Sequence, residues 1–251
     1  MKAVVLVAGY ATRLYPLTKD RPKGLLPIGG RAIMDYLFDQ VEKIEEIDEA
    51  ILVSNARFYD QFVEWAKGYK GRVKMSVIND KTTSNEDRLG ALGDLKLCID
   101  EYKIDEDLMV LVSDNYLTDE NTLLKFYNFY KEKKTPCVLG SVFEDLEYLG
   151  KNFGVAVLDK NNKILNMEEK PGIPKSNVGI WASYIYPKET VALLDQYLKE
   201  GNKPDAPGNF PSWLYPKQAV HAYLFEGQCY DIGTPEIYYS LDKQLTEKNK
   251  K

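Results

Sequence analysis

The sequence is poor in the residues that hold transition metals. Its 251 residues include a single histidine, His221, and three cysteines, Cys98, Cys137 and Cys229, which lie far apart. Zinc sites in proteins are built from Cys and His ligands at short, regular spacings, so this chain offers no zinc ligand pattern. The cysteines are therefore predicted to be buried thiols.

Long hydrophobic runs and an excess of positive charge are also missing. No stretch approaches the roughly 18 consecutive apolar residues of a membrane helix, so no membrane insertion is expected. The formal net charge of -5 argues against a general nucleic-acid or acidic-membrane binder, and an anionic ligand would need a local basic site. The N-terminus has no charged region, apolar stretch and cleavage site of a secretory signal, so the cytoplasm is the expected location.

Strand and helix patterns alternate in the first part of the chain. Short apolar runs rich in Val are typical of strands in a parallel sheet, and apolar residues at helical spacing lie between them. This βαβαβ order predicts a doubly wound, mostly parallel α/β sheet whose ligand site lies outside the carboxyl ends of the strands. Strands are predicted at residues 2–8, 50–54, 73–78, 108–112 and 137–143, and helices at 33–47, 58–67, 91–102 and 122–133.

Beyond residue 150 the pattern changes to strand-like pieces separated by turns, which predicts an inserted antiparallel layer. Thr234 before Pro235 predicts a helix start with Thr as the N-cap. The length fits one domain of about 250 residues. Later strands are predicted at 153–158, 163–168, 178–186 and 219–225, and a helix at 188–199.

The segment VAGYATRLYPLTKDRPKGLLPIGG follows the first strand. A loop of small residues there lets phosphates approach backbone N–H groups, but Tyr10 and Ala11 break the dinucleotide fingerprint and no P-loop is present. Arg13 can fork two phosphate oxygens, and Lys23 supplies a mobile point charge, both on a connection restrained by prolines. Composition alone leaves open that both are ordinary surface cations.

The whole string resembles the signature of the sugar-phosphate nucleotidylyltransferases, Gly-x-Gly-Thr-Arg-Leu-x-Pro-Leu-Thr followed by Pro-Lys. Ala11 stands where that family has its second Gly. The similarity continues in family order through four further motifs. They are LGALGDL at 89–95, Ser113-Asp114-Asn115, Glu168-Glu169-Lys170-Pro171 and Asp231-Ile232-Gly233-Thr234-Pro235-Glu236. Ala91, Leu92 and Asp94 depart from the family pattern, so this motif does not identify the nucleotide base.

The resemblance implies a Rossmann-like, GT-A-like fold and a Mg²⁺-dependent reaction of a nucleoside triphosphate with a sugar 1-phosphate, giving a nucleotide sugar and pyrophosphate. It implies one catalytic domain, with 1–145 as the nucleotide-binding half and 146–251 as the sugar-phosphate-binding half. It also implies catalytic roles for Arg13 and Lys23 and Mg²⁺ ligation by Asp114 and Asp231. The implied nucleotide-binding residues are Ala8, Gly9, Tyr10, Ala11, Thr12, Asn79 and Gly90. The implied sugar-phosphate-binding residues are Phe153, Gly154, Glu169, Lys170 and Ile180.

The expected substrates are dTTP or UTP and glucose 1-phosphate, in nucleotide-sugar and polysaccharide biosynthesis, and assembly into a homo-oligomer is left open. One alternative keeps the mechanism and changes the pair to CTP and phosphocholine, inositol phosphate or another small phosphate. Another is a non-catalytic regulator that binds nucleotide sugar. A nucleotide-dependent redox enzyme is disfavoured by the broken dinucleotide fingerprint.

Overall fold

The computed structural model describes residues 1–250, which form two compact units. Each unit is assembled from separated segments of the chain. The first unit contains Met1–Lys2, Leu89–Leu111 and Lys125–Glu226, and the second contains Ala3–Arg88, Val112–Leu124 and the segment that begins at Gly227. The prediction of a single catalytic domain with functional halves at 1–145 and 146–251 stays a prediction.

The elements alternate between strands and helices along most of the chain. The strands are β1 (Lys2–Leu6), β2 (Pro27–Ile28), β3 (Arg31–Ala32), β4 (Glu49–Ser54), β5 (Lys74–Asn79), β6 (Leu108–Val112), β7 (Asn115–Leu117), β8 (Cys137–Val142), β9 (Gly154–Leu158), β10 (Ile164–Glu169), β11 (Val178–Tyr186), β12 (His221–Leu224) and β13 (Cys229–Asp231). The helices are α1 (Ile33–Val41), α2 (Tyr59–Gly68), α3 (Ala91–Tyr102), α4 (Thr122–Lys133), α5 (Leu146–Asn152), α6 (Lys188–Val191), α7 (Leu193–Lys199), α8 (Asn209–Leu214) and α9 (Pro235–Lys248).

The second unit carries a parallel strand arrangement. Strands β1, β4 and β5 are neighbours in that order, and β4 pairs with β5 in parallel from Glu49↔Lys74 to Ser54↔Asn79. All six residues of β4 are buried, and its four central residues, Ala50 to Val53, form the continuous apolar run that is typical of a strand covered on both faces. Beyond β1 the chain stays beside β4, since the Val7 N–H donates to the Val53 carbonyl at 3.0 Å.

The first unit carries the antiparallel layer. Strand β9 lies between β10 and β11 and pairs antiparallel with both, and β11 also pairs antiparallel with β6 and β8. Strand β12 pairs with β8 in parallel. The predicted fold class, a mixed α/β Rossmann-like sheet with an inserted antiparallel layer, is confirmed.

Several predicted boundaries are wrong where turns imitate a helix or interrupt one. Helix α1 ends at Val41, because the chain then forms successive i→i+3 turns that still bury Ile44 and Ile47 at helical spacing. The helix predicted at 188–199 is two helices, α6 and α7, which meet at Ala192. Helices α5 and α8 and strands β7 and β13 were not predicted, because each is too short to show a period.

Other predictions are confirmed. Helices α3 and α4 and strand β11 have the predicted bounds. Thr234 caps α9, with its hydroxyl accepting from the Ile237 N–H at 3.4 Å, and Pro235 opens the helix. The predicted burial holds for Cys98 and Cys137, whereas Cys229 is only partly buried, and no disulfide joins these cysteines within the described residues. No helix within residues 1–250 is long and apolar enough to cross a membrane.

Candidate functional site

The loop after β1 presents open backbone donors. The buried Asn55 donates its side-chain amide to the Ala8 carbonyl at 2.8 Å, and the Thr18 hydroxyl donates to the Ala11 carbonyl at 2.8 Å. These bonds turn the carbonyls inward. The N–H groups of Gly9, Tyr10 and Ala11 have no hydrogen-bond partner among residues 1–250, and Gly9 is exposed. Such a run of free N–H groups is suited to an anion.

Ala11 adopts the left-handed conformation, with φ 47° and ψ 42°. This conformation costs a residue with a Cβ about 1–2 kcal/mol. Glycine adopts it without that cost, and glycine is the residue at this position in the nucleotidylyltransferase signature quoted above. The chain keeps the turn nonetheless, since the Leu14 N–H donates to the Ala11 carbonyl at 3.0 Å. The Gly-to-Ala departure is therefore accommodated at a cost in strain.

Lys23 is held in place by a close backbone contact. It begins a 3₁₀ turn directly after the buried Pro22. A Cβ on the next residue, Gly24, would stand 2.9 Å from the Ser113 Cβ and 2.9 Å from the Met34 Cγ. Because Ser113 precedes Asp114, this packing brings Lys23 beside that carboxylate.

The Lys23 ammonium lies between two carboxylates. Its Nζ is 3.0 Å from Asp114 Oδ2 and 3.7 Å from Asp231 Oδ1, and the Lys23 side chain is only 13% exposed. Three residues far apart in sequence thus meet at one point within the second unit.

The two carboxylates are brought together by a small antiparallel ribbon. Strand β13 pairs with β7 in a register that places Asp231 opposite Asn115. The Ile232 N–H then donates to the Asp114 carbonyl at 2.9 Å. Since Asp114 immediately precedes β7, the ribbon fixes both acidic residues at the same end.

One apolar cluster lies beneath these functional residues. Leu14 follows Arg13, Leu26 closes the turn of Lys23, and Ile232 follows Asp231; all three are at most 3% exposed. They share a single core cluster, to which Tyr116 and residues of α9 also belong. Burial of the neighbours therefore positions the polar side chains above them.

Arg13 supplies a second, unpaired cation. Its guanidinium makes no hydrogen bond or ion pair within residues 1–250, and the residue is exposed. Its Nη2 lies 3.4 Å from the position of a Cβ on Gly233, and Asp231 Oδ2 lies 3.1 Å from that same position. Because Gly233 has no side chain, the Arg13 guanidinium and the Asp231 carboxylate both border the space that a Cβ would fill.

The donor set of Asp114 and Asp231 fits a magnesium ion. Mg²⁺ is a hard cation that is commonly held by one or two carboxylates together with phosphate oxygens and water. Both carboxylates already converge on one cation, the Lys23 ammonium. Within residues 1–250 no group of three or more His, Cys, Asp or Glu side chains is arranged to hold a metal.

Three further residues predicted to bind nucleotide have surroundings of their own. The Tyr10 ring is buried, its hydroxyl lies 3.3 Å from Thr82 Oγ1, and burial raises its pKa. Asn79 ends β5 and accepts a hydrogen bond from the Lys81 N–H at 2.7 Å. Thr12 is exposed in the loop. Their contacts with nucleotide stay predictions.

The predicted sugar-phosphate residues lie in the first unit, where strand pairing brings three of them into one row. Gly154 on β9 is directly opposite both Glu169 on β10 and Ile180 on β11. A Cβ on Gly154 would lie 2.9 Å from Glu169 Oε2 and 3.8 Å from the Ile180 Cβ. The absence of a side chain on Gly154 makes room for the glutamate carboxylate.

Phe153 and Lys170 flank this row. The Lys170 N–H donates to the Phe153 carbonyl at 3.2 Å, and the exposed Lys170 has no ion pair among the described residues. The Phe153 ring packs against Phe143 and Trp181, each at a centroid distance of 4.8 Å. Phe153 is thus anchored in an aromatic cluster, and its contact with a sugar stays a prediction.

Gly90 is covered by a loop that the sequence reasoning left unassigned. A Cβ on Gly90 would lie 2.8 Å from the Asp205 Cα and 2.8 Å from the Pro204 carbonyl oxygen. The Leu92 N–H at the start of α3 donates to that carbonyl at 2.8 Å. The Gly/Pro-rich composition of 201–211 signalled a loop, but nothing in it signalled this docking.

A family model described as nucleotidyl transferase matches residues 2–248, which is nearly the whole chain. The chain belongs to the nucleotidyl transferase family. The family predicted from the sequence is thereby confirmed.

Curated relatives agree with this membership, and a solved structure shows the same fold. The chain is 28% identical over 246 residues to a putative mannose-1-phosphate guanyltransferase of Sulfolobus acidocaldarius, covering 98% of this chain and 63% of that protein, less than two thirds of its length. It is 26% identical to the UTP–glucose-1-phosphate uridylyltransferase AglF of Haloferax volcanii, covering 99% and 98%. A putative glucose-1-phosphate thymidylyltransferase from Bacillus anthracis has the same fold, with a TM-score of 0.79 at 24% identity, covering 98% and 96%.

Proposed function

We propose that this protein is a Mg²⁺-dependent nucleotidylyltransferase that joins a nucleoside triphosphate to a sugar 1-phosphate. The observation that carries the proposal is the contact of the Lys23 ammonium with both Asp114 and Asp231. Two carboxylates and a lysine converge in the same unit as the loop of free N–H groups. The N–H groups and the lysine are suited to a polyphosphate, and the carboxylates are suited to its Mg²⁺ ion. The proposed substrates are dTTP or UTP and glucose 1-phosphate, the substrates named for the similar uridylyltransferase AglF and for the putative thymidylyltransferase.

In the proposed reaction a phosphate oxygen of the sugar 1-phosphate attacks the α-phosphorus of the triphosphate. The P–O bond to the β-phosphate breaks, and pyrophosphate leaves with the electron pair. The attacking oxygen is anionic near neutral pH, so no general base is needed. The main obstacle is the meeting of two polyanions and the charge that develops on the leaving pyrophosphate.

Cationic side chains of the protein would neutralise this negative charge. Arg13, which has no partner among the described residues, would bind the β- and γ-phosphates in a forked geometry. Lys23 would leave its carboxylates and contact the α-phosphate and the attacking oxygen. Asp114 and Asp231 would hold Mg²⁺, which neutralises phosphate charge when bound. Lys170 would bind the phosphate of the sugar, and Glu169 its hydroxyl groups.

The test is a pyrophosphate-release matrix of ATP, GTP, CTP, UTP and dTTP against sugar 1-phosphates and phosphocholine, with Mg²⁺. We expect release in at least one sugar 1-phosphate combination. Lys23→Ala should lower that rate by about 100- to 1000-fold, the usual effect of removing one transition-state contact. Lys19→Ala, which removes an exposed cation from the same loop, is the matched control and should leave the rate within about twofold.

Two outcomes would contradict the proposal. Turnover of phosphocholine alone would identify the acceptor as a different phosphate. Tight nucleotide or nucleotide-sugar binding with no release in any combination would favour a regulatory binding protein.

A further inference from the structure

We propose that Asn55 is a positioning residue for the triphosphate of the nucleotide, and that it acts by fixing the direction of the peptide group between Ala8 and Gly9. The inference rests on the proposed function, because it concerns the loop that would bind the triphosphate. Asn55 is part of none of the motifs that carry the family resemblance. All residues concerned lie within the second unit.

The side-chain amide of Asn55 is buried and bonded at both ends. Asn55 directly follows β4 and is 0% exposed. Its Oδ1 accepts from the Phe58 N–H at 3.1 Å, and its Nδ2 donates to the Ala8 carbonyl at 2.8 Å. Because a backbone N–H can only donate and a carbonyl can only accept, a single orientation of the amide satisfies both groups. The donor is therefore fixed on Ala8.

The bond to Ala8 sets the direction of the next N–H group. The Ala8 carbonyl and the Gly9 N–H belong to one planar trans peptide group, so they point in opposite directions. Asn55 holds the carbonyl inward, and the Gly9 N–H consequently points outward. That N–H has no hydrogen-bond partner among the described residues, Gly9 is exposed, and a Cβ on Gly9 would meet nothing within 4 Å. An anion can therefore reach this donor directly.

The same stretch of chain also holds the far end of the loop. Gln61 on α2 donates its side-chain amide to the Asp20 carbonyl at 2.9 Å, and the Arg57 guanidinium donates to the Lys19 carbonyl. Residues 55–61 thus contact the loop both near its beginning and near its end. A loop held in this way is pre-organised, which lowers the entropy that phosphate binding costs.

The neighbouring strands do not depend on the Asn55 side chain. Beside it, β1 is joined to β4 through the Val7 N–H and the Val53 carbonyl at 3.0 Å, and the Ala56 N–H donates to the Thr82 carbonyl at 2.9 Å. What the Asn55 amide adds is the direction of one peptide group. We therefore expect its loss to weaken phosphate binding beyond any effect on the stability of the fold.

The experiment compares Asn55→Leu with the wild type by calorimetric titration with inorganic tripolyphosphate and Mg²⁺, which supplies the phosphates without base or ribose, and by steady-state kinetics. The dissociation constant for tripolyphosphate and the KM for the nucleotide should both rise about tenfold, the effect of one lost hydrogen bond and of the carbonyl left unpaired. The KM for sugar 1-phosphate should stay within about twofold, because the residues proposed to bind it lie in the first unit.

Gln40→Leu is the matched control. Gln40 is likewise a buried amide of the second unit, 5% exposed, and its Oε1 accepts from the Leu123 N–H at 3.1 Å. This variant should lose a similar amount of thermal stability and keep the wild-type affinity for tripolyphosphate. Gln61→Ala tests the other end of the loop at a partly exposed position, and should raise the dissociation constant by about threefold.

The inference is overturned if the wild type does not bind tripolyphosphate, if Asn55→Leu binds it as tightly, or if Gln40→Leu loses as much affinity. An equal rise in the KM of both substrates contradicts it too, since that indicates a general loss of structure. If Asn55→Leu does not fold, Gln61→Ala decides, and an unchanged dissociation constant then overturns the inference. If the wild type releases no pyrophosphate, the proposed function fails, and the tripolyphosphate titrations still decide the role of Asn55.

Discussion

The backbone of Gly24 packs against Ser113 so closely that a Cβ on Gly24 would lie 2.9 Å from the Ser113 Cβ. Gly24→Ala should therefore force the turn that carries Lys23 away from Asp114. Overpacking of this kind costs about 1–3 kcal/mol, which urea unfolding would measure. Gly68→Ala on α2, where a Cβ meets nothing within 4 Å, is the control and should not destabilise the protein.

Asp231→Asn should weaken divalent-cation binding. The variant removes one of the two carboxylates that fit Mg²⁺, whereas the ribbon register that places residue 231 opposite Asn115 is retained. We expect Mg²⁺ to raise the melting temperature of the wild-type protein in the presence of nucleotide, and to raise that of the variant less. The result would be contradicted by equal Mg²⁺ titrations of the two proteins. Glu236→Gln, an exposed carboxylate at the start of α9, provides the comparison.

Ala11→Gly should stabilise the protein by about 0.5–1 kcal/mol. The gain is the relief of left-handed strain, about 1–2 kcal/mol, less the greater chain entropy of Gly, about 0.5–1 kcal/mol. The φ of 47° at Ala11 is the basis of this prediction. Chemical denaturation would measure it. A destabilised Ala11→Gly variant would mean that strain at this turn is not relieved by removing the Cβ.

The pH dependence of stability should report on Glu169. Burial raises the Glu169 pKa above its ordinary value of 4.5. The folded protein therefore holds this proton more tightly than the unfolded chain, and its free energy of unfolding falls as the pH rises above 4.5. Below that pH the carboxyl is protonated in both states and this loss of stability disappears. Glu169→Gln should therefore be more stable than the wild type at pH 7, and the difference should shrink towards pH 4. A stability difference between Glu169→Gln and the wild type that grows on acidification would contradict this prediction.

Tyr186→Phe should be neutral or stabilising by about 1 kcal/mol. The Tyr186 hydroxyl is buried and has no hydrogen-bond partner among the described residues, so its removal relieves an unmet desolvation cost. The matched variant is Tyr197→Phe, which loses a 2.6 Å hydrogen bond to the Lys203 carbonyl and should be destabilised by about 0.5–1.5 kcal/mol. Thermal unfolding of the pair gives the comparison, and equal losses would contradict it.

Long elements with a clear period were predictable from the sequence. Helices α3 and α4 and strand β11 needed only apolar spacing, and the start of α9 needed only the chemistry of Thr234 and Pro235. The short strands β7 and β13 were not predictable, because their formation depends on pairing between distant segments. Their ribbon is nevertheless what brings Asp114 and Asp231 together.

The candidate site was predictable as a set of motifs but not as a set of contacts. Arg13, Lys23, Asp114 and Asp231 were found by similarity, and the structure places all four in the second unit. The salt bridges of Lys23 could not be read from the sequence, since the Gly24 packing that creates them involves residues in different segments.

The β7–β13 ribbon also orders events during synthesis of the chain. Its second strand, Cys229–Asp231, belongs to the last segment of the second unit, whereas Lys23 and the loop of free N–H groups belong to the first segment. The N-terminal segments leave the ribosome first, so the nascent protein has the loop of free N–H groups before it has the second carboxylate. The proposed cation site is therefore completed late, and a chain arrested before residue 229 lacks Asp231.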